Sequence, residues 1–128
     1  MSEPIVFISH FRVKEGQVEN VRQLNQKVTE QIKQNKPGTA VFIQYLNEEG
    51  TRLSIIHVFP DAESFEKHVE GADERAKAAF EFVEPTRREI YGVPSERVLK
   101  LLKPPDGSGI SFQFMPQATS GYIRFRNK

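Results

Sequence analysis

The stretch "TRLSIIHVFPDAESFEKHVEG", residues 51–71, decides the fold class. Its β-branched and aromatic residues predict a strand over 51–59 that Pro60 ends. Asp61 is placed to cap a following helix, in which apolar residues recur every three or four positions. Gly71 weakens that helix and marks where it would divide, since Gly costs up to about 1 kcal/mol relative to Ala in a helix interior. The stretch therefore predicts a strand followed directly by a helix.

The flanking segments supply the rest of the predicted order. The short turn "NEEG" joins the strand over 51–59 to an earlier strand over 39–47, which is a hairpin pattern. The other predicted elements are a strand over 4–13, a helix over 16–34 and a strand over 87–92. We therefore predict an α+β fold, a ferredoxin-like βαββαβ antiparallel sheet with its helices on one face.

A C-terminal extension follows this unit. The segment "VPSERVLKLLK", residues 93–103, predicts a short helix, and "PPDGSG" predicts a linker. The segments "ISFQFMP" and "GYIRFR" alternate apolar and polar residues, which predicts a terminal β-hairpin. We predict a ferredoxin-fold domain over 1–92 and an extension over 93–128 that packs on this domain or on its dimer partner.

The predicted sheet has one face without a cover. Two helices cover a single face, yet the first three strands are apolar on both sides. Exposure of Val6, Ile8, Phe42 and their neighbours would make a larger apolar patch than monomers usually carry. A symmetric homodimer is the commonest solution, and we expect one here.

Composition excludes several classes of function. The chain has 128 residues with a net charge of +1, which gives no strong field for nucleic acid or an anionic membrane. It has no cysteine, so disulfides and thiolate metal sites are excluded. The N-terminus lacks a secretory signal pattern, and no apolar run approaches the roughly 20 residues of a membrane span. We expect a cytoplasmic protein that binds neither membrane nor nucleic acid.

Two further classes of site are disfavoured by their motifs. The βαββαβ order also occurs in RNA-recognition domains, but the strand "RLSIIHVF" has no Lys/Arg-Gly-aromatic motif for base stacking. The three histidines show no His-x-His or HExxH spacing, so we predict no metal site.

Several segments together resemble the antibiotic biosynthesis monooxygenase family. They are "FRVKEGQVENVRQL", "PGTAVFIQYLN" and "HVFPDAESFEKHVEG", and the resemblance covers roughly residues 4–92. It implies a dimeric α+β barrel that oxygenates aromatic polyketides or quinols without flavin, metal or haem, so no cofactor is expected. In that family the second helix commonly carries a histidine after its acidic cap, and His68 matches this position. The family's haem degraders use a Trp with an Asn and a His. This chain has no Trp and offers Ser9 or His10 where the Asn would stand, which disfavours haem degradation.

The candidate catalytic residues are two histidines. A histidine suits removal of a phenolic proton because its unperturbed pKa lies near neutral pH. His68 sits at the edge of the apolar stripe of its helix, and His10 precedes Arg12 on the first strand, where the pair could steady an oxyanion. His57 is more simply a hydrogen-bonded core residue. Candidate substrate-binding residues are His57, Arg12, Phe42, Tyr45, Phe65, Phe80 and Tyr91.

The leading hypothesis is a cofactor-independent monooxygenase that acts with O₂ on a small aromatic or quinol substrate. The alternatives are a non-catalytic dimeric module that binds a small molecule or serves in stress, and a purely structural dimer. A cavity that reaches a histidine would favour the first two. A histidine that titrates near neutrality there would favour catalysis, and one held neutral by hydrogen bonds would favour a structural role.

Overall fold

The computed structural model describes residues 3–124 of the chain. In this range the chain forms five strands and four helices. The strands are β1 (Ile5–Val13), β2 (Val41–Leu46), β3 (Arg52–Phe59), β4 (Val83–Tyr91) and β5 (Ser111–Met115). The helices are α1 (Val18–Asn35), α2 (Ala62–Val69), α3 (Ala72–Ala79) and α4 (Glu96–Leu102).

The five strands form one mixed sheet in the order β2-β3-β1-β4-β5. The first four pair antiparallel, whereas β5 runs parallel to β4 at the edge. The predicted α+β class and the βαββαβ order are therefore confirmed. The sheet of the single chain is open and does not close into a barrel.

The long predicted helix divides at Gly71. This residue has φ of +83°, a left-handed conformation that favours glycine over any residue with a Cβ. Arg75, one turn into α3, donates hydrogen bonds to the carbonyls of His68 and Glu70 at 2.6 and 3.1 Å. These carbonyls lie at the C-terminal end of α2, where a cation is favoured. The break and the arginine together fix α3 against α2.

Strand β4 begins at Val83, four residues before its predicted start. Its early part contains Pro85, and proline is disfavoured inside a strand because it cannot donate to the ladder. The pairing with β1 shifts register between His10 and Phe11, which leaves Thr86 as an extra residue in a β-bulge. Proline is tolerated at such a bulge because a ladder hydrogen bond is already missing there.

The predicted terminal hairpin is not formed within the described residues. Only the first of its two segments is a strand, β5, and it pairs with β4 rather than with the second segment. Residues 121–124 of the segment "GYIRFR" are in no strand, and its last two residues lie outside the described range. The extension instead follows β4 with α4 and returns along the edge of the sheet.

Two clusters of buried side chains form the core, and both lie on the face of the sheet that the helices cover. One cluster contains Ile5, Phe7, Phe59, Phe65, Val69, Ile90 and Val98. The other contains Val13, Val21, Leu53 and Val83. Val98 brings α4 of the extension into the first cluster. The core is therefore one layer of helices packed on one layer of sheet.

The opposite face, called the open face below, carries no helix within residues 3–124. Across its five strands the register aligns Ile43, Ile56, Ile8, Glu89 and Gln113 in one row. Ile43 and Tyr45 are exposed there, at 45% and 56%. Phe42, which the sequence pattern placed on this side, pairs with His57 and faces the helices instead. The described part of the chain contains no helix long and apolar enough to cross a membrane.

Candidate functional site

A cavity of about 250 Å³ lies between the sheet and the helices. The strands supply part of its lining with Phe7, Ser9, Phe42, Gln44, Ile55, His57 and Arg88. The helices supply Leu24, Val28, His68, Ala72, Arg75, Ala76, Leu101 and Leu102. Phe80 also lines it and is 39% exposed, so it lies near the mouth. The volume is just below the roughly 300–1,000 Å³ of typical drug-sized sites, which suits a ligand of one or two rings.

Two histidines meet in this cavity, named the histidine cavity below. His57 points to the helix side because it lies at the same alternate positions of β3 as the buried residues Leu53 and Phe59, which share one face of the strand. His68 lies on the face of α2 that also carries Phe65. The two imidazole rings are 5.0 Å apart between centroids and meet edge to face, and Phe42 lies 5.2 Å from His57.

Each of the two histidines uses one ring nitrogen for a hydrogen bond to the protein. Nδ1 of His57 donates to the Phe7 carbonyl oxygen at 2.9 Å, which leaves Nε2 of the neutral ring as an acceptor. Nδ1 of His68 is hydrogen-bonded to the Thr39 hydroxyl at 2.8 Å. In residues 3–124 no fully buried side-chain nitrogen or oxygen lacks a partner. The Nε2 atoms, which have no hydrogen bond to the described chain, are therefore open to the cavity.

Burial keeps both imidazoles neutral. It lowers the pKa of His57 from 6.5 to about 4. Burial lowers the pKa of His68 to about 2, and the neighbouring His57, Arg75 and Lys36 act in the same direction. Neither histidine titrates near neutrality, which by the criterion above favours a structural role over catalysis. The open Nε2 of His57, however, is a neutral acceptor, and Nε2 of His68 is one when its Nδ1 donates to the Thr39 hydroxyl. A proton-abstracting group must take this form at physiological pH.

The structure separates the candidate residues predicted from sequence into three groups. His57, His68, Phe42 and Phe80 line the histidine cavity. Phe65 does not line it but is fully buried between Phe7 and Phe59. The rest lie on the open face, away from the cavity: His10, Arg12, Tyr45 and Tyr91.

His10 belongs to a polar network on the open face. Its Nε2 donates to Glu89 at 2.9 Å, and the Ser54 hydroxyl bonds its Nδ1 at 2.8 Å. Glu89 also accepts hydrogen bonds from Arg87 and Tyr91, each at 2.8 Å. Arg12, expected to act beside His10, pairs with Glu84 instead. Both nitrogens of His10 are occupied, so nothing in its geometry offers a base to the histidine cavity.

Two arginines in the cavity were not found by sequence reasoning. Arg75 lies one turn after Ala72 on the cavity side of α3, and Arg88 precedes buried Ile90 by two positions on β4. Both carry a signal that could have located them, namely an arginine in phase with an apolar stripe. Burial lowers the pKa of each arginine, although a guanidinium remains charged at neutral pH.

No group of three or more His, Cys, Asp or Glu side chains in residues 3–124 is arranged to hold a metal ion. The described histidines are divided between the two faces of the sheet. The arrangement therefore provides neutral hydrogen-bond acceptors, two guanidinium groups and apolar walls, all suited to an organic ligand.

The structure defines a ferredoxin-like α+β protein with a cavity between its sheet and its helices. The family model for "Antibiotic biosynthesis monooxygenase" matches residues 4–81, more than half of the chain. The protein belongs to this family. No curated protein matches the chain at a significant level.

Solved structures share this fold. MupZ from Pseudomonas fluorescens is similar with a TM-score of 0.74 and 21% identity, covering 94% of this chain and 95% of its own. SnoaB from Streptomyces nogalater, a cofactor-independent oxygenase, is similar with a TM-score of 0.60 and 13% identity. The match covers 73% of this chain and 96% of SnoaB. A conserved protein from Methanosarcina mazei is similar with a TM-score of 0.59 and 18% identity, and the match covers 70% of this chain and 92% of that protein. At 94% coverage the likeness to MupZ includes most of the C-terminal extension.

Proposed function

We propose that this protein is a cofactor-independent monooxygenase that uses O₂ to oxidise a small phenol or quinol in the histidine cavity. The observation that carries the proposal is the pair of open imidazole nitrogens in an otherwise largely apolar cavity. Membership of a monooxygenase family supports the same reaction class. The alternative is a binding module of the same fold that catalyses no reaction.

His68 is the proposed base, with His57 beside it as a second acceptor for the substrate hydroxyl. A neutral imidazole is the form that can take a proton, and burial keeps it neutral at physiological pH. The same burial penalises the imidazolium, so proton transfer depends on the phenolate that forms next to it. Opposite charges in a dry site stabilise each other strongly, which makes the transfer specific to bound substrate.

The remaining steps need no external reductant. The phenolate gives one electron to O₂, and the substrate radical and superoxide then combine to form a C–O bond at an ortho or para ring carbon that bears hydrogen. The peroxide takes a proton, and loss of the ring C–H proton breaks the O–O bond. One oxygen atom stays on the ring as a carbonyl and the other leaves as water. The substrate supplies all the electrons, and the apolar walls keep bulk water from the radical pair.

We expect His68→Ala to lower kcat/KM for oxygen uptake by at least about tenfold, since a positioned base contributes about 10²–10⁴-fold. The assay uses chelator-treated protein and a panel of hydroquinones and fused-ring phenols, with autoxidation subtracted. His10→Ala is the matched control because it removes an imidazole from the open face.

The control variant should stay within about twofold of wild type. A loss in His10→Ala but not in His68→Ala would move the base to the open face. Uptake no faster than autoxidation over the whole panel would favour the binding module.

We further propose that the open face pairs with a second copy to give the dimeric α+β barrel. Ile43, Tyr45 and Met115 are 45–56% exposed on this face, around the half-buried side chains of Ile8 and Ile56. An apolar patch of this kind favours association, and a net charge of only +1 opposes it little.

Ile43→Asp should weaken the dimer by at least about 100-fold, because it would bury an unpaired carboxylate at the interface. Sedimentation equilibrium at micromolar concentration measures this change. Val93→Asp is the control, since Val93 is 60% exposed and lies outside the sheet. A wild-type protein that sediments as a monomer would contradict the dimer.

A further inference from the structure

We propose that the ligand of the histidine cavity is an aromatic anion whose carboxylate binds Arg88 while its rings lie towards His57 and His68. This inference rests on the proposed function and names the substrate class for the same site.

Arg88 is placed where a ligand would meet it. It pairs with Ser9 across β4 and β1, and both side chains line the cavity. Strand β1 separates β4 from β3, so the backbones at Arg88 and His57 are about 10–12 Å apart. One or two aromatic rings with a carboxylate substituent span this distance between extended side chains.

The guanidinium of Arg88 is only partly satisfied by the protein. Its Nη1 donates to the Leu102 carbonyl at 2.8 Å, at the C-terminal end of α4. Among residues 3–124 no carboxylate pairs with it. Its Nε and Nη2 form no hydrogen bond to the described chain, and neither atom is fully buried. These donors therefore stay available at the cavity wall.

The preceding residue, Arg87, shows the contrast. It points to the open face, where its three nitrogens bond to Glu89, Ser111 and Gln113 at 2.8–3.2 Å. On the same strand, therefore, an arginine with a structural role has all three guanidinium nitrogens hydrogen-bonded to the protein. A partly buried guanidinium without an anion is costly, and a bound carboxylate would remove that cost through paired hydrogen bonds.

The other charged groups of the cavity leave it positive. Arg75 contributes a second guanidinium, although both of its Nη atoms already donate to carbonyls of α2 and the α2–α3 turn. Asp73 lines the cavity near the solvent and forms no ion pair with either arginine. Since the histidines are neutral, two cations face one carboxylate, and the cavity favours an anion.

Calorimetry with two matched probes tests the proposal. The full-length protein is titrated without oxygen with a dihydroxynaphthoate, and separately with the dihydroxynaphthalene that lacks its carboxylate. Wild type should bind the naphthoate at least about tenfold more tightly, as expected for a charge-assisted hydrogen bond. Arg88→Gln should remove at least about tenfold of that affinity and change binding of the neutral probe by less than about twofold. Arg22→Gln, an exposed arginine on α1 outside the cavity, should change neither.

The outcomes separate this inference from the proposed function. Equal binding of both probes to wild type overturns the anion proposal, even if both consume oxygen. A strong preference for the naphthoate, with no oxygen uptake above autoxidation from any member of the panel, supports anion binding and overturns the monooxygenase. An equal loss of both probes in Arg88→Gln assigns Arg88 a structural role and overturns the proposal. The wild-type preference decides the question alone if that variant does not fold.

Discussion

Lowering the pH from 7 to 5 should reduce the free energy of unfolding by about 4 kcal/mol. His57 and His68 have pKa values of about 4 and about 2 in the folded protein, against an ordinary histidine value of 6.5. The unfolded chain therefore binds protons in this pH range that the folded chain cannot bind. Each histidine then contributes about 2 kcal/mol to the loss, at 1.36 kcal/mol per pKa unit over about 1.5 units.

The direction of this effect follows from the lowered pKa values. Stability is fully present above pH 6.5 and is lost as the pH falls towards the folded pKa. Carboxylates with lowered pKa values, such as Asp61 and Glu89, lose their contribution only below the pKa of an unfolded carboxylate, near pH 4. The change in the free energy of unfolding between pH 7 and 5 therefore reports on these histidines rather than on the carboxylates.

Urea unfolding at fixed protein concentration, at both pH values, measures the loss. His57→Gln and His68→Gln should each reduce it to about half, because each removes one of the two groups. A free energy of unfolding that does not change between pH 7 and 5 would contradict the neutral, buried state of both rings.

Phe65→Ala should destabilise the fold by about 3–5 kcal/mol. Phe65 is fully buried, and its ring stacks on Phe59 at 4.5 Å between centroids. Truncation would leave a void in the cluster that joins β1, β3, α2 and α4. Phe80→Ala is the control, since Phe80 is 39% exposed at the cavity and should cost less than about 1 kcal/mol.

Urea unfolding of the two variants, followed by probe titration, distinguishes a residue that packs in the core from one that lines the cavity. Phe80→Ala should retain stability and weaken probe binding, whereas Phe65→Ala should lose stability first. Equal stabilities would show that Phe65 does not support the core and would return it to the candidate substrate wall that the sequence indicated.

The local parts of the fold could be predicted from the sequence. β-Branched and aromatic content with the NEEG turn predicted the first three strands, and helical periodicity predicted α1. Asp61 was identified as the cap of α2, where it accepts a hydrogen bond from the Ser64 amide. Strand β5 was recognised as a strand but not as the partner of β4. The alternation of apolar and polar residues in this five-residue segment indicates which face is buried, but it does not indicate which strand pairs with it.

The site was predicted only in part for a similar reason. His68 and Phe42 were found, but Phe42 was assigned to the wrong face because both faces of β2 are apolar. Tyr45 and Tyr91 were grouped with the walls by residue type alone, and the sheet places them on the open face. Arg88 escaped notice because its role depends on the carbonyl end of α4, which returns from the extension.

The parallel return of β5 has a consequence for how this protein can vary. The histidine pair lies on β3 and α2, within the segment that the family model matches. Leu101, Leu102 and Arg88 lie after it, on α4 and the strand before it. Two separate stretches of chain thus build one chamber. An insertion, deletion or exchange in the later stretch would reshape the cavity wall and leave the imidazoles in place. Under the proposed function, ligand preference and chemistry can therefore diversify independently.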